Sequence, residues 1–407
     1  MRRVVVTGMA GVTSLGGDWP TIHAALRDGR SGVRYISDWE RLEDLNTRLG
    51  APADWFDDKG IYPRKKMRSM GRVAVLAVRA AERALTQAGL IDDPILRSGR
   101  VGVASGSSYG STPPTVDFAH FIETGKAGPL SATSYIRMMS HTTPVNIAIY
   151  FGLSGRVITT SSACTSGSQG IGYAVEAIRH GYADAMIAGG AEEFCPTMAV
   201  VFDTLFATSA KNDDPAHASR PFDRDRDGLI IGEGAAMLVL EDYEHARARG
   251  AECLAEVIGF ATNADGTHVT EPAAETQDIV MRLALANAGV GPETIGFVSG
   301  HAPATEIGDI AESRATHQVF GGRVPIHSLK GHFGHTLGAC GAIEAWLTIE
   351  MMNEGWFAPT ANLENPDSRC AELDYVVGEG RNLDIEYAVS NNFAFGGINT
   401  SIVLKRL

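Results

Sequence analysis

The sequence is poor in the features of disulfide-stabilised, zinc-binding and membrane-spanning proteins. Its five cysteines are odd in number and include no Cys-x-x-Cys pair, which argues against a disulfide framework or a zinc site. No apolar run approaches the length needed to cross a bilayer. The apolar residues after Met1 stop at Thr7, too soon for the core of a signal peptide. These absences predict a reduced, cytoplasmic protein outside the membrane.

The sequence also lacks an excess of positive charge. Its 407 residues carry 35 Lys and Arg against 48 Asp and Glu, a formal net charge of −13. A surface of this sign repels phosphate, so general capture of nucleic acid is excluded as the main activity. Charged residues make up 20% of the chain and hydrophobic residues 44%, and no low-complexity segment interrupts it. The chain is therefore able to bury a large core.

A weak internal repeat is present. Leu85–Leu90 resembles Leu285–Val290, and each segment is followed by a short apolar run that is typical of a buried strand, Val101–Gly106 and Ile295–Gly300. Helices that alternate with buried strands predict a mostly parallel sheet covered on both faces. The sequence therefore predicts a duplicated α/β unit with a boundary near residue 250.

Cys164 is the leading candidate for chemistry. It follows a strand-like run at 156–160 and precedes a helix-like stretch at 173–178. A thiol at such a turn lies at or near a helix N-terminus, where exposed amides and the helix dipole favour the reactive thiolate. A buried structural cysteine explains the local sequence equally well, and we expect the other four cysteines to be structural.

Two histidine segments accompany this cysteine in the second half of the chain. His301 follows a strand-like run, and the repeat aligns His335 with Cys164. Most single histidines are structural or solvated. A cysteine with two histidines nevertheless suits acyl transfer, because the thiolate forms a thioester while the imidazoles donate hydrogen bonds or move protons. Zinc can use the same three residues, but none of the spacings is typical of a zinc site.

Five ordered markers, spread over the whole chain, resemble the β-ketoacyl-acyl carrier protein synthases, the elongating condensing enzymes of type II fatty acid synthesis. The markers are Ser161–Thr165, Ser219–Gly228, Gly232–Gly234, Lys330 with Gly334–Ala339, and Asn392–Gly397. The resemblance implies an α/β protein with the thiolase fold, in which two pseudo-repeated halves form a five-layered α-β-α-β-α core. The nucleophilic cysteine belongs to residues 1–250 and the histidine pair to residues 251–407. The implied reaction is the decarboxylative condensation of an acyl-enzyme thioester with malonyl-acyl carrier protein in fatty acid elongation.

The resemblance assigns roles in the reaction to particular residues. These are Cys164 as nucleophile, His301 and His335 as the pair that stabilises an enolate, Lys330 as a supporting charge, and Phe395, whose amide joins that of Cys164 in an oxyanion hole. Supporting acidic positions are implied at Asp309, Glu312 and Glu344. No metal or redox cofactor is needed, although the family's structural monovalent cation is expected near Glu344, Ser390 and Asn391.

The resemblance also implies substrate contacts, and here the sequence departs from the family pattern. Thr270 and Thr305 are expected to hold the pantetheine arm, but Pro303 replaces a second threonine, so arm binding is weaker or rearranged. Ala394 stands where a glycine is usual, and it restricts Phe395 if that ring gates the acyl pocket. Tyr109 is expected to line that pocket and to shorten it or adapt it to aromatic groups; otherwise it packs at a dimer interface.

A basic cluster on this acidic chain predicts the docking site of acyl carrier protein beside the pocket mouth. Its members are Arg64, Lys65, Lys66, Arg68 and Lys211. A solvated surface is the simpler interpretation of such a charge run. The resemblance further implies a homodimer, or a heterodimer with a related subunit.

Three alternative functions stay open at the level of sequence. Pro303, Ala394 and Tyr109 suit a ketosynthase of a polyketide or aryl-polyene pathway. A non-catalytic partner subunit, similar to a chain-length factor, typically lacks the reactive cysteine that is present here. A biosynthetic thiolase acting on coenzyme A esters needs a second catalytic cysteine near the C-terminus, for which Cys370 is the candidate.

Overall fold

The computed structural model describes every residue from Met1 to Leu407. The strands are β1 (Val4–Val12), β2 (Arg34–Tyr35), β3 (Leu49–Gly50), β4 (Val101–Gly106), β5 (Val157–Thr159), β6 (Ala185–Glu192), β7 (Gly234–Asp242), β8 (Ala255–Ala264), β9 (Phe297–Ser299), β10 (Pro325–His327), β11 (Trp356–Phe357), β12 (Asp374–Tyr375), β13 (Arg381–Asn382), β14 (Tyr387–Ala394) and β15 (Ile398–Lys405). The helices are α1 (Trp19–Arg27), α2 (Arg72–Gln87), α3 (Pro113–Thr124), α4 (Ala132–Met138), α5 (Thr142–Phe151), α6 (Ser166–Arg179), α7 (Pro196–Asp203), α8 (Pro215–Ala218), α9 (Tyr243–Ala248), α10 (Ala274–Ala288), α11 (Glu306–Phe320), α12 (Lys330–Phe333) and α13 (Cys340–Glu354).

Eleven strands form one sheet in the order β12-β10-β9-β14-β15-β8-β1-β7-β6-β4-β5. At its middle, β1 and β8 are joined by only two residue pairs, Val5 with Glu256 and Val6 with Ala255. From this junction the series β1-β7-β6-β4-β5 and β8-β15-β14-β9-β10 run outward with the same pairing, two antiparallel steps and then two parallel steps. The two halves of the sheet therefore repeat one topology, as the internal repeat predicts.

The expectation of a mostly parallel sheet is wrong, because half of the steps in each series are antiparallel. The physical reason is that strands covered on both faces are continuous apolar runs whatever their direction. Residues in β1 and β7, for example, are buried throughout, although the two strands pair antiparallel. Burial can be read from such a sequence, and strand direction cannot.

The helices complete five layers. Helices α2 and α5 share a core with the outer face of the first half of the sheet, and α10 and α11 share one with the outer face of the second half. Between the halves lie α6 and α13, which pack on each other and on the inner faces of both. The predicted α-β-α-β-α thiolase fold is confirmed. No helix combines the length and the apolar character that crossing a bilayer requires.

Close contact between the two halves brings the starts of α6 and α13 together. A Cβ atom on Gly190 of β6 would lie 2.2 Å from the carbonyl oxygen of Gly338, and one on Gly167 of α6 would lie 2.9 Å from the amide of Ala342. Only glycine permits this approach. The predicted boundary at residue 250 falls between α9 and β8 and stays a prediction, since both halves contribute to the central core.

Candidate active site

Cys164 lies in a tight turn between β5 and α6. It is 3% exposed, and Ala163 before it has a φ of +49°, an unfavourable left-handed conformation for a residue with a side chain. Helix α6 begins at Ser166, two residues after Cys164, so the predicted strand-to-helix turn is present but the helix starts earlier than the stretch at 173–178 suggests. The strained turn presents the thiol to the space between the halves.

Both predicted histidines meet this thiol. His335, in the turn before α13, has its Nε2 atom 3.0 Å from Cys164 Sγ. His301 follows β9, and its ring centroid is 5.1 Å from that of His335, with the planes nearly perpendicular. Ligand atoms of all three residues lie within 4.8 Å of one another, and all three side chains are buried. The turn between β5 and α6 in the first half, together with the segments after β9 and before α13 in the second, thus builds one cysteine-histidine cluster.

A buried ion pair lies next to the cluster. The ammonium group of Lys330 donates to the carboxylate of Glu344, and both side chains are at most 3% exposed. Glu344 also accepts a hydrogen bond of 2.6 Å from the side-chain amide of Asn392, which approaches His301 Nδ1 at 3.5 Å. Because an amide nitrogen only donates, this contact makes Nδ1 of His301 the acceptor and leaves the proton on Nε2, which is free to donate. Asn392 received no role from the sequence, although it begins one of the five markers.

Electrostatics keep both imidazoles neutral. Burial lowers the pKa of His301 and of His335 well below the ordinary value, and the positive charge of Lys330 lowers both further. Burial also opposes the charge of Lys330, but Glu344 and its neighbours outweigh that effect, so the pKa of Lys330 is raised. Neutral imidazoles can donate or accept a proton, as acid-base work requires.

The expectation of a resting thiolate is wrong. Burial raises the pKa of the Cys164 thiol to about 11, which outweighs the favourable amide of Phe395 and the charge of Lys330. Desolvation dominates because the thiol precedes the helix and has lost contact with water. The thiol therefore reacts by passing its proton to a neighbour, and His335 is in contact with it.

The predicted acidic positions fasten the segment that carries His301. Glu312 accepts hydrogen bonds from the amides of His301, at 2.7 Å, and Ala302, at 2.5 Å. Asp309 accepts from the amides of Ala304 and Phe222. Burial raises the pKa of Glu312 to about 8 and that of Asp309 to about 7. These carboxyl groups bond to backbone rather than to the reacting atoms, so they position the histidine.

A cavity of about 240 Å³ runs from the cysteine-histidine cluster to the surface. Its walls are largely apolar, and among the predicted substrate contacts they include Thr270, Thr305 and Phe395, together with Pro303. The ring of Phe395 packs edge-on against Phe202, 5.8 Å away. The amide of Phe395 faces the sulfur of Cys164, as an oxyanion donor should.

Tyr109 does not line this cavity. Its hydroxyl lies 2.9 Å from that of Thr115 on α3, and its ring is 36% exposed. The preceding residue, Ser108, is bound to Glu192, whose carboxylate also accepts from the amide of Gly338. Tyr109 thus lies behind the backbone of the site, and its contact with an acyl group stays a prediction.

Ala394 is accommodated without strain in this conformation. It is the last residue of β14, where it pairs with Ile398, and its φ is not positive. The left-handed positions of the loop are taken by Gly396 and Gly397, with φ of +93° and +71°. The expected restriction of Phe395 concerns movement away from this conformation and stays a prediction.

The predicted docking cluster is divided. Arg64, Lys65 and Arg68 are exposed in a turn and, with Arg137 of α4, surround a surface depression; we call these four residues the basic depression. Lys66 stacks its ammonium group over the ring of Tyr150, 4.2 Å from the ring centroid.

Lys211 is not among the residues that line the basic depression. Its ammonium group bonds to the carbonyl of Asp225, and nearby Ala207 lines the cavity. None of the residues of the basic depression lines the cavity. That Lys211 joins the docking cluster stays a prediction.

The residues expected around a monovalent cation do not present one set of side-chain ligands. Glu344 is bound by Lys330 and Asn392, whereas the side chain of Asn391 turns the other way, to Met281 on α10. Ser390 and Asn391 are successive residues of β14, and successive side chains of a strand point to opposite faces. Ser390 Oγ and Asn391 Oδ1 are nevertheless buried without hydrogen-bond partners. The cation near these residues stays a prediction, and we derive no step through it.

The fold and the cluster are those of a class of protein, the acyltransferases, whose chemistry a buried cysteine with two histidines suits. Comparison with known proteins specifies it further. Residues 1–246 match the family described as "Beta-ketoacyl synthase, N-terminal domain", and residues 254–364 match "Beta-ketoacyl synthase, C-terminal domain". The chain belongs to the β-ketoacyl synthase family.

Individual relatives cover the whole chain. The 3-oxoacyl-(acyl-carrier-protein) synthase 2 of Vibrio cholerae is 37% identical over 100% of this chain and 99% of its own length. A crystal structure of a β-ketoacyl synthase from Burkholderia phymatum is 54% identical, with a TM-score of 0.99 and full coverage of both chains. A type II polyketide synthase acyl carrier protein in complex with its ketosynthase, bound to the hexaketide, is 30% identical with a TM-score of 0.88, covering 100% of this chain and 99% of that one.

These findings remove one of the alternatives. Cys370 does not line the cavity; it packs in the outer core of the second half, beside Asp309 and Arg226. The interpretation as a thiolase with Cys370 as second catalytic cysteine is therefore wrong. The cysteine that approaches the site is Cys340, whose Sγ donates to the carbonyl of Cys164 at 3.2 Å.

Proposed function

We propose that this protein condenses an acyl thioester on Cys164 with malonyl-acyl carrier protein, giving carbon dioxide and β-ketoacyl-acyl carrier protein, in fatty acid elongation. The observation that carries the proposal is the contact of 3.0 Å between Cys164 Sγ and His335 Nε2, with His301 beside it, at the inner end of a cavity with apolar walls. Such a site can hold an acyl group and exclude water from it.

The first half-reaction loads the enzyme. As Cys164 Sγ attacks the acyl thioester of a carrier, its proton passes to Nε2 of His335, and the oxyanion forms between the amides of Cys164 and Phe395. The carbon–sulfur bond of the carrier then breaks, and the carrier thiolate takes the proton from His335. No protein group bonds Nδ1 of His335, so either tautomer of this ring can form for the next step.

The second half-reaction forms the new carbon–carbon bond. Loss of carbon dioxide from the malonyl group leaves an enolate, whose oxygen accepts hydrogen bonds from the Nε2–H groups of His301 and His335. Asn392 holds His301 in the tautomer that this donation needs. The enolate carbon attacks the acyl carbonyl, and the bond to Cys164 sulfur breaks. The released thiolate takes up one proton from solvent, which restores the resting thiol. Burial, reinforced by the charge of Lys330, keeps both histidines neutral in this step.

The two half-reactions can be separated by mutation. In Cys164→Ser we expect no β-ketoacyl product, because a hydroxyl is a far weaker nucleophile, while malonyl decarboxylation continues on the histidines. Product formation is followed by mass spectrometry of the carrier, and decarboxylation by release of labelled carbon dioxide from malonyl-carrier protein. Normal condensation by Cys164→Ser would refute the proposal.

The basic depression is the proposed docking site for the acidic carrier. Three of its side chains, Arg64, Lys65 and Arg68, are exposed on a chain of net charge −13, so a carrier of negative charge is attracted there and repelled elsewhere. The depression borders the loop of Tyr109 rather than the cavity, since the amide of Ser111 donates to the carbonyl of Arg137. We therefore assign it to initial orientation of the carrier.

We propose that the protein is a dimer built on strand β5. This strand is the last in the sheet order, and its outer edge has no partner within the chain. Exposed apolar side chains accompany it: Val157 on the strand itself is 46% exposed, and Ile149 on α5, which packs against the strand, is 66% exposed. An unpaired edge beside an apolar surface favours pairing with a second subunit, the same chain or a related one.

A cytoplasmic location suits the five free thiols.

A second candidate function is the same condensation in a specialised polyketide or aryl-polyene pathway. Pro303 lies on the cavity wall without the hydroxyl of the usual threonine, and Ala394 stands in the loop before Phe395. Both departures favour an altered acyl or extender group. Turnover of a panel of saturated, unsaturated and aryl acyl-carrier proteins decides between the candidates: preference for saturated chains supports fatty acid elongation, and rejection of them supports the specialised pathway.

A further inference from the structure

Gln277 has a side chain that nothing in the protein explains. It lies in the second turn of α10, is fully buried, and lines the cavity that leads to Cys164. Its backbone amide bonds normally to Ala273, but neither Oε1 nor Nε2 of its side chain has a hydrogen-bond partner in the protein. A buried carboxamide without partners destabilises the fold, so its presence calls for a functional reason.

The neighbouring polar groups on this wall are already paired. Asp265 accepts hydrogen bonds from Thr276 and from Asn399, the second at 2.6 Å. Asn399 also donates to Asn263 at 3.0 Å. These residues satisfy one another, whereas the donor and the acceptor of the Gln277 side chain are both unpaired.

We infer that Gln277 binds an amide group of the pantetheine arm, an inference that rests on the proposed function. A carboxamide offers both an acceptor and a donor, so it can accept from the N–H of one arm amide or donate to the C=O of an arm amide. A hydrocarbon acyl chain would leave both polar groups of Gln277 unpaired.

The position of Gln277 favours the arm over the acyl chain. Helix α10 begins four residues after Thr270, and Thr270 and Thr305, the expected arm contacts, line the same cavity. Tyr109, the residue expected at the acyl chain, lies behind the site and outside this cavity. Pro303, which lines the same cavity, lacks the hydroxyl that the family pattern places there, and Gln277 would supply a polar contact in its place.

The test begins with Gln277→Met, which keeps the length of the side chain and removes its polar atoms. We expect KM for malonyl-pantetheine in the decarboxylation assay to rise about tenfold, with kcat nearly unchanged, because the arm amide loses its partners. The melting temperature of the free protein should stay equal or rise, since an unpaired buried amide is removed. Ile279→Ala, on the exposed face of the same helix, is the matched control and should change neither value.

Two substrate analogues show whether the contact is direct. In each, one of the two arm amides is replaced by an ester, which removes an N–H donor. In the wild type we expect KM for one analogue to rise about tenfold, and in Gln277→Met that analogue should cause no further rise. If Gln277→Met and the ester replacement each raise KM independently, so that their fold-changes multiply for both analogues, the inference is wrong. It is also wrong if Gln277→Met lowers the melting temperature without changing KM.

Direct binding separates this inference from the proposed function. Calorimetry with the S-methyl thioether of pantetheine needs no turnover, and we expect Gln277→Met to bind it about tenfold more weakly than the wild type. A wild type that binds this probe through Gln277 but decarboxylates no malonyl thioester would refute the proposed function and support the inference. Equal binding by the two proteins would overturn the inference alone.

Discussion

Replacement of Lys330 by methionine tests how the site is held neutral and stable. Lys330 and Glu344 form an ion pair in which neither side chain is more than 3% exposed. Breaking a buried pair by removing one partner leaves an uncompensated charge, at a cost of about 3–5 kcal/mol. We expect Lys330→Met to lose about that much free energy of unfolding in urea, unless Glu344 takes up a proton.

Two comparisons isolate the origin of this loss. The double variant Lys330→Met/Glu344→Gln should recover most of the stability, because the orphaned carboxylate is gone. Arg282→Met, which breaks an exposed pair with Asp278 on α10, should cost no more than about 1 kcal/mol. Equal losses in Lys330→Met and Arg282→Met would contradict the importance assigned to burial.

The same variant changes the pH dependence of decarboxylation. The charge of Lys330 lowers the pKa of His301 and His335, beyond the larger effect of burial. Without that charge both pKa values rise, so the imidazoles become protonated at higher pH and activity is lost earlier as the solution is acidified. Release of carbon dioxide from malonyl-carrier protein, measured against pH, should show the acid limb displaced upward. An acid limb that stays in place or moves downward would refute the reasoning.

Three further outcomes are expected. Alkylation of Cys164 by iodoacetamide should accelerate about tenfold per pH unit up to pH ~10, because burial raises the thiol pKa to about 11; a plateau near pH 8 would contradict this. Tyr109→Ala should shift preference toward longer acyl chains, and an unchanged chain-length profile in a folded variant would count against contact with the chain. Lys65→Glu/Arg68→Glu should raise KM for carrier-bound substrate about three- to tenfold and leave malonyl-pantetheine unaffected, whereas equal loss with both substrates would exclude a docking role.

The sequence predicted the chemistry-bearing residues better than the properties of their surroundings. The repeat and the markers were sufficient to predict that Cys164, His301 and His335 share a site, because the fold places repeated turns at the junction of the two halves. The protonation state of Cys164 could not be predicted in this way. It depends on how completely water is excluded, and that is a property of the packed halves rather than of the local turn.

Residues without a reactive group escaped prediction for a related reason. Asn392 and Gln277 are ordinary amides in the sequence, and only the fold shows their surroundings. Asn392 lies beside a ring nitrogen of His301, and the side chain of Gln277 is buried without a hydrogen-bond partner. Charge alone likewise gives no position. Lys211 shares its charge with Arg64–Arg68 but does not line the basic depression.

The most direct test of the account is intact-protein mass spectrometry after incubation with an acyl-carrier protein and no malonyl substrate. The account predicts a mass increase of one acyl group, located on the peptide that contains Cys164 and absent from Cys164→Ala. Addition of malonyl-carrier protein should remove this group and yield β-ketoacyl-carrier protein. An acyl group found on another residue, or a product formed without any acyl group on Cys164, would contradict the central claim.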